Sequence, residues 1–273
     1  MTQGELRKIG VIQLDILDEV HRICEKNGIR YYMIAGTLLG AVRHKGFIPW
    51  DVDIDIAMPR AEYERFAEIA RVELKEHYSY VDHNTFGNYM RPHALVVRND
   101  TVIHLKYDGL NPKMYDLGVY IDIFPLDNAP DEEHRREHHA RKLKRICWLK
   151  DHRILYCYSY KAWRRYIHYT ISFLLSWIPL RKLNQYQQKQ MQKYRHEETK
   201  CICSMASQYA YAKQCMPWEI YGTPVLLEFE GRQYYAPEQY KQYLTRLYGD
   251  YMQLPPAEKR QANLEVFTSV DFL

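Results

Sequence analysis

Apolar residues return every three or four positions early in the chain, at Leu6, Ile9, Leu14, Leu17, Val20 and Cys24, and Asn27-Gly28 then supplies a helix stop. That spacing predicts an amphipathic first helix over residues 5–24. Residues 30–35 read as a short strand, Gly36-Thr37 as a turn and residues 38–44 as a short helix. Residues 51–57 read as a second strand, because polar and apolar positions alternate strictly there. Pro59 stands where a first helical residue belongs and opens a charged amphipathic helix to about residue 77. Extended runs at 94–98 and 101–105 flank Asn99-Asp100, a pair suited to a two-residue hairpin turn, and a third run covers 119–124. After Pro130 the pattern turns helical, with helices expected at 131–150, 161–178, 182–208 and 237–248. The chain shows no internal repeat and no low-complexity tract. The expected organisation is an α+β catalytic region over residues 1–130 followed by a mainly helical region over 131–273.

Composition narrows the partners. Of the 273 residues 47% are hydrophobic and 26% charged, which fits a folded globular protein and excludes both disorder and a polytopic membrane protein. A net charge of +4 favours an anionic partner but is too small to argue for nucleic acid. The first residues carry no apolar run behind a basic stretch, and the six cysteines include no Cys-x-x-Cys pair, so a reducing, cytoplasmic setting is expected. The longest apolar segment, residues 167–180, is shorter than the ~20 residues that span a bilayer. Lys161, Trp163, Arg164, Arg165, Trp177, Arg181 and Lys182 bracket or lie within it. Two readings stay open: a helix at the inner membrane surface, where a lipid-linked acceptor would be met, or a buried helix of the second region.

The chemistry concentrates in one run. On a strand, Asp51, Asp53 and Asp55 share one face while Val52, Ile54 and Ile56 share the other. Carboxylates two apart stand ~6.6 Å apart at the backbone, close enough to repel and raise each other's pKa and close enough to share a cation. A hard ion, Mg2+ or Mn2+, resolves that repulsion and clamps phosphates. Ahead of the acids, Gly36-Thr37 ends a strand and opens a helix, where backbone amides can hold a phosphate. Asp122, in Tyr-Ile-Asp-Ile-Phe, is an acid within an otherwise apolar strand, costly unless it meets a cation or donors. Asp127 suits either a site role or a loop cap. Arg43, His44 and Lys45 form a basic cluster suited to donor phosphates, and Arg98 is a weaker candidate of the same kind.

A Gly-polar turn followed by an Asp-x-Asp strand resembles the DNA polymerase beta-like nucleotidyltransferase fold, which implies a mixed-sheet core with Asp53, Asp55 and Asp122 as catalytic metal ligands. More specifically, the run from Gly36 to Asp51, then Asp53-Ile54-Asp55-Ile56, Tyr120 to Asp127 and the late Tyr248-Gly249-Asp250-Tyr251-Met252-Gln253-Leu254-Pro255-Pro256 resemble the LicD family of phosphocholine transferases. The resemblance implies a CDP-alcohol donor, typically CDP-choline, and a glycan acceptor such as lipopolysaccharide or teichoic acid; a eukaryotic branch uses CDP-ribitol. In the nucleotidyltransferase fold the turn, here Gly36-Thr37, holds the donor phosphates; Asp51 is expected as a supporting acid at the substrate site, and Arg43, His44, Lys45 and the weaker Arg98 stand as donor-binding candidates on their charge. Two positions depart from the family pattern: Val52 replaces an acid, and Gln261-Ala262-Asn263 stands where a histidine is usual. The alternatives are a nucleotidyltransferase that uses an NTP and a non-catalytic glycan-binding relative. Tyr89, Tyr107, Tyr115 and Tyr120, among 25 tyrosines, are candidates for an aromatic cage around choline. His196, Cys201, Cys203 and Cys215 invite comparison with a zinc site, but Cys-x-Cys on a predicted helix is not a usual zinc spacing and plain thiols are the expected reading.

Overall fold

A computed structural model of the chain describes residues 3–51, 53–85, 89–105, 117–153, 162–207, 209–256, 260 and 267–272. The first amphipathic segment forms helix α1, Gln3–Asn27. Its Ile16, Leu17, Val20 and Ile23 are fully buried, one face of a helical repeat. Gly28 then takes a left-handed φ of 60°, and the Ile29 amide donates to the Cys24 carbonyl at 2.9 Å, which closes the helix where the Asn-Gly pair predicted.

Strand β1 (Tyr32–Met33) and helix α2 (Ala35–His44) follow, so Gly36 and Thr37 lie in the first turn of α2, not in a separate turn before it. Strand β2 is Asp55–Pro59; Asp51 and Asp53 precede it in an irregular segment, whereas the alternation predicted a strand from residue 51. Helix α3 (Arg60–Glu73) and strands β3 (Tyr78–Val81), β4 (Ala94–Arg98), β5 (Thr101–Leu105) and β6 (Tyr120–Ala129) come next. In the main sheet β1, β2, β6, β4 and β3 are neighbours in that order. The β2–β6 pair is parallel and the other pairs are antiparallel.

The expected β4–β5 hairpin does not form. The Arg98 amide donates to the Val119 carbonyl at 2.7 Å and the Ile103 amide to the Leu117 carbonyl at 3.0 Å, so residues 117–119 take the place of the hairpin partner. A Cβ on Gly118 would stand 1.8 Å from the Arg98 carbonyl oxygen, so only glycine permits this approach. β5 pairs instead with β11 (Phe267–Phe272).

Helices α4 (Glu133–Arg153), α5 (Ala162–Ser176) and α6 (Leu180–Met191) form the predicted helical stretch, but the expected 182–208 helix stops at Met191. Cys201–Cys203 is strand β7, paired with the end of β6 and with β8 (Cys215–Pro217). Helices α7 (Tyr211–Gln214) and α8 (Trp218–Tyr221), strands β9 (Val225–Phe229) and β10 (Arg232–Ala236) and helix α9 (Tyr240–Tyr248) complete this half. Ile202, Met216, Tyr221, Phe229 and Leu244 share one hydrophobic cluster with residues of α1, β2 and β6. The division of the chain expected near residue 130 is therefore crossed by β7, β8 and this core.

Asp127 lies within β6, not in a loop. Its carboxylate accepts two bonds from Arg60 at the start of α3, Nε to Oδ1 at 2.7 Å and Nη2 to Oδ2 at 2.5 Å, and both residues are buried. Arg60 Nη1 also reaches Gln188 Oε1 of α6 at 3.3 Å, so one ion pair ties the sheet to two helices. Asp127→Ala would leave the guanidinium buried without its partner, and urea denaturation should show a loss of about 3–5 kcal/mol. The double change Arg60→Met, Asp127→Leu should cost much less; equal losses would mean that volume and not charge matters at this position.

Candidate active site

Asp55 opens β2 in register with Asp122 on the neighbouring parallel strand β6. Ile54 and Ile56 are fully buried, as the alternation predicted, while Val52 lies outside the described residues. Thr37, buried in the first turn of α2, locks the acidic segment in place. Its hydroxyl donates to the Asp53 carbonyl at 3.3 Å and accepts from the Asp55 amide at 2.8 Å. A Cβ at Gly36 would stand 3.1 Å from Asp51 Oδ2, so glycine lets that carboxylate rest against the helix start. Ala35 adopts a left-handed φ of 47°, strained for a residue with a Cβ, and its amide donates to the Tyr243 hydroxyl of α9 at 3.4 Å. The opening turn of α2, where the Gly36 and Thr37 amides precede the first intrahelical carbonyls, thus lies beside Asp51 and Asp53.

The acids do not behave alike. Loss of surrounding water in the crowded site, then the charges of Asp55 and Asp51, push Asp53 up to about 10, although part of its surface still meets solvent. Burial, then Asp122 and Asp51, hold Asp55 well above the usual carboxylate range. Asp122 moves the other way. Burial alone would raise it, but Arg91 Nη1 at 2.8 Å and His93 Nε2 at 2.6 Å both meet its Oδ1 and keep it below the usual range. Arg91 also donates to the Tyr120 hydroxyl at 2.6 Å and lies 4.6 Å over that ring. Burial keeps His93 below its ordinary pKa, so the neutral ring donates through Nε2, which agrees with a buried Nδ1 that has no hydrogen-bond partner among the described residues. Sequence reasoning missed both residues. The available signal was Arg91-Pro92-His93 immediately before β4, the strand that pairs with Asp122.

Among the described residues no three His, Cys, Asp or Glu side chains form a ready metal cage. Two mutually repelling carboxylates with one open to solvent still suit Mg2+ or Mn2+, because Mg2+ typically takes one or two carboxylates and keeps water or substrate phosphate in its other positions. Both the Arg91 and the His93 bonds fall on Asp122 Oδ1, which leaves Oδ2 out of that pair of contacts.

A cavity of about 650 Å³ adjoins Gly36 and Asp51. Its walls include the rings of Trp50, Tyr209, Tyr248 and Tyr251 and the side chains of Arg43 and Arg260. Arg43 Nη1 donates to the Tyr251 carbonyl at 3.1 Å, which carries the late 248–256 motif onto α2. The Tyr209 and Tyr248 hydroxyls meet at 2.9 Å, and the Arg260 guanidinium lies 5.6 Å over Trp50. His44 accepts from Arg43 Nε at 2.9 Å and meets the Trp50 ring edge-on. Lys45 is exposed, at the left-handed end of α2, and is not part of the cavity wall. Arg98 is paired with Asp100 at 2.6 and 3.0 Å at the far end of β4, so the structure does not bring it to the acids.

Glu230, absent from the sequence reading, positions the loop before Trp50. It lies with Gly231 in the tight β9–β10 turn, both residues at positive φ, and its carboxylate accepts from the Phe47 amide at 3.0 Å. A Cβ on Gly46 would collide with that carboxylate. Of the tyrosines named for a choline cage, the two that lie among the described residues have other partners. Tyr89 is buried and donates to the His93 carbonyl at 2.6 Å, Tyr120 is covered by Arg91, and Tyr107 and Tyr115 lie outside the described residues, as do residues 261–263. Cys201, Cys203 and Cys215 are free thiols on β7 and β8, and His196 lies in a separate groove.

Comparison with known proteins agrees with this architecture. The family described as LicD/FKTN/FKRP, nucleotidyltransferase domain, matches residues 28–154. The chain is 33% identical over 271 residues to the lipopolysaccharide cholinephosphotransferase LicD of Haemophilus influenzae, covering 96% of each chain. An uncharacterized protein of Rickettsia typhi is 31% identical over 123 residues, 43% of this chain and 39% of its own. The human ribitol 5-phosphate transferase FKRP is 47% identical over 36 residues, 13% of this chain and 7% of its own. With its near-complete overlap with one such relative, the chain belongs to the LicD family.

Proposed function

We propose that the protein transfers phosphocholine from CDP-choline to a hydroxyl of a surface glycan of the lipopolysaccharide or teichoic acid kind. The observation that carries this reading is that Asp55 stands in register with Asp122 while Asp51, two residues before Asp53, lines a cavity together with arginine and aromatic residues. The relative that spans nearly the whole chain bears the name of a lipopolysaccharide cholinephosphotransferase. Asp53 and Asp55 would hold Mg2+ or Mn2+, with Asp122 completing the site, and the ion would offset phosphate charge as the leaving group departs.

The chain's own residues do the rest. The first amides of α2, at Gly36 and Thr37, and the Arg43 and Arg260 guanidinia offer donors to the two phosphates. Trp50, Tyr209, Tyr248 and Tyr251 offer ring faces, which suit a quaternary ammonium with no hydrogen-bond donor of its own, and Asp250 adds a carboxylate to the same cavity. Arg91 and His93 hold Asp122 ionised and oriented, so it accepts the proton of the glycan hydroxyl. The hydroxyl oxygen bonds to the choline-bearing phosphorus, the bond from that phosphorus to the bridging oxygen breaks, and CMP leaves.

Asp53→Asn and Asp55→Asn should each abolish CMP release from CDP-choline at saturating Mg2+, and more than a few percent residual activity would overturn the metal assignment. Because the folded pKa of Asp53 is raised, the folded state binds more protons than the unfolded chain from about pH 4 to about pH 10, so without metal stability falls as pH rises through that window. Asp53→Asn removes that penalty and should melt at or above the wild-type temperature in EDTA at neutral pH, as differential scanning fluorimetry would show.

A second test separates the ring functions. Tyr248→Leu keeps apolar bulk but removes the ring quadrupole, so CDP-choline use should fall about tenfold while CDP-glycerol use changes little. Equal losses for both donors would assign the ring to the shared cytidine. Retained CDP-choline use would remove the ring from donor recognition, and consumption of CTP with release of pyrophosphate would favour an NTP-dependent nucleotidyltransferase.

A further inference from the structure

The charge of the chain is unevenly placed. Residues 131–200 carry 17 Lys and Arg against 7 Asp and Glu, net +10, so the remainder of the +4 chain is net −6. The C-terminal end of α5 and the residues after it project apolar surface into solvent: Phe173 is 68% exposed, Leu174 64% and Trp177 81%. Among the described residues no helix is long and apolar enough to cross a membrane.

Immediately after this tip, α6 presents two different faces. Lys182, Tyr186 and Lys189 recur at helical spacing on its exposed face, and Lys193 continues the line just past its end. Lys189 and Lys193, with Lys142 of α4 and Arg195, line an open groove of about 870 Å³. On the buried face, Asn184 donates to the Tyr89 carbonyl at 2.7 Å and Gln188 to the Pro92 carbonyl at 2.8 Å. Those bonds hold the segment that carries Arg91 and His93. An apolar tip with an exposed tryptophan, continuous with a lysine stripe, has the composition of a surface that enters the headgroup region of an anionic bilayer.

We infer that the α5 tip and the outer face of α6 dock the protein onto an anionic membrane surface, with Phe173, Leu174 and Trp177 inserted at headgroup depth and Lys182, Lys189 and Lys193 against lipid phosphates. This placement sets the bilayer about one helix diameter, ~10 Å, from the segment that orients Asp122. It rests on the proposed function only in that a membrane-borne glycan would then be presented near the site.

Co-sedimentation of the full chain with phosphatidylcholine vesicles, with and without phosphatidylglycerol, tests the inference. Wild type should bind the anionic vesicles, lose most of that binding at high salt and bind neutral vesicles weakly. The triple change Lys182→Glu, Lys189→Glu, Lys193→Glu and the double change Phe173→Ala, Trp177→Ala should each weaken binding about tenfold or more, with melting temperature and CMP release on a soluble acceptor unchanged. Failure of wild type to bind, or equal binding by the triple variant, would overturn the inference. So would a wild-type dimer in light scattering that Phe173→Ala, Trp177→Ala dissolves without lipid, since the face would then belong to a second copy. Loss of CDP-choline turnover in wild type would instead sink the functional reading and leave the vesicle result standing.

Discussion

Repulsion among Asp51, Asp53, Asp55 and Asp122 is the constraint to which the surrounding structure responds. Carboxylates this close raise one another, and Asp53 and Asp55 are both pushed up by burial and by their acidic neighbours. Asp122 is held ionised by the Arg91 guanidinium and by a hydrogen bond from the neutral His93 ring. We propose that a divalent cation shared by Asp53 and Asp55 offsets the repulsion that raises both. Thr37, Tyr243 and Glu230 keep this costly arrangement from relaxing, through bonds to the acidic segment, to Ala35 and to the loop before Trp50.

Much of this was legible from local pattern. The alternation in 51–57 separated the acids from Ile54 and Ile56, and helical spacing located α1 and its glycine stop, because both depend on neighbours within one element. Features that depend on distant chain were not legible. The β4–β5 hairpin failed because residues 117–119 compete for the Arg98 and Ile103 amides, and nothing near Asn99-Asp100 records that competitor. Cys201–Cys203 became a strand because the free edge at the end of β6 needed a partner. The cavity walls were misplaced for the same reason: Tyr209, Tyr248 and Tyr251 reach α2 from more than 150 residues away, whereas the tyrosines near Asp122 in sequence serve as its supports.

The helical region has two roles that one helix combines. Asn184 and Gln188 of α6 reach inward to the 89–93 segment, and Gln188 also meets the buried Arg60–Asp127 pair. The opposite face of α6 carries the lysines. A region that sequence alone divides from the catalytic part is thus bonded to the segment that orients Asp122.

The identity of the products tests the proposed transfer most directly. With purified protein, CDP-choline and a dephosphorylated lipopolysaccharide or teichoic acid acceptor, chromatography should find CMP and phosphocholine-bearing glycan in equal amounts, formed with Mg2+ and not with EDTA. Transfer that persists unchanged in EDTA, or CMP released with no phosphocholine on the glycan, would contradict it.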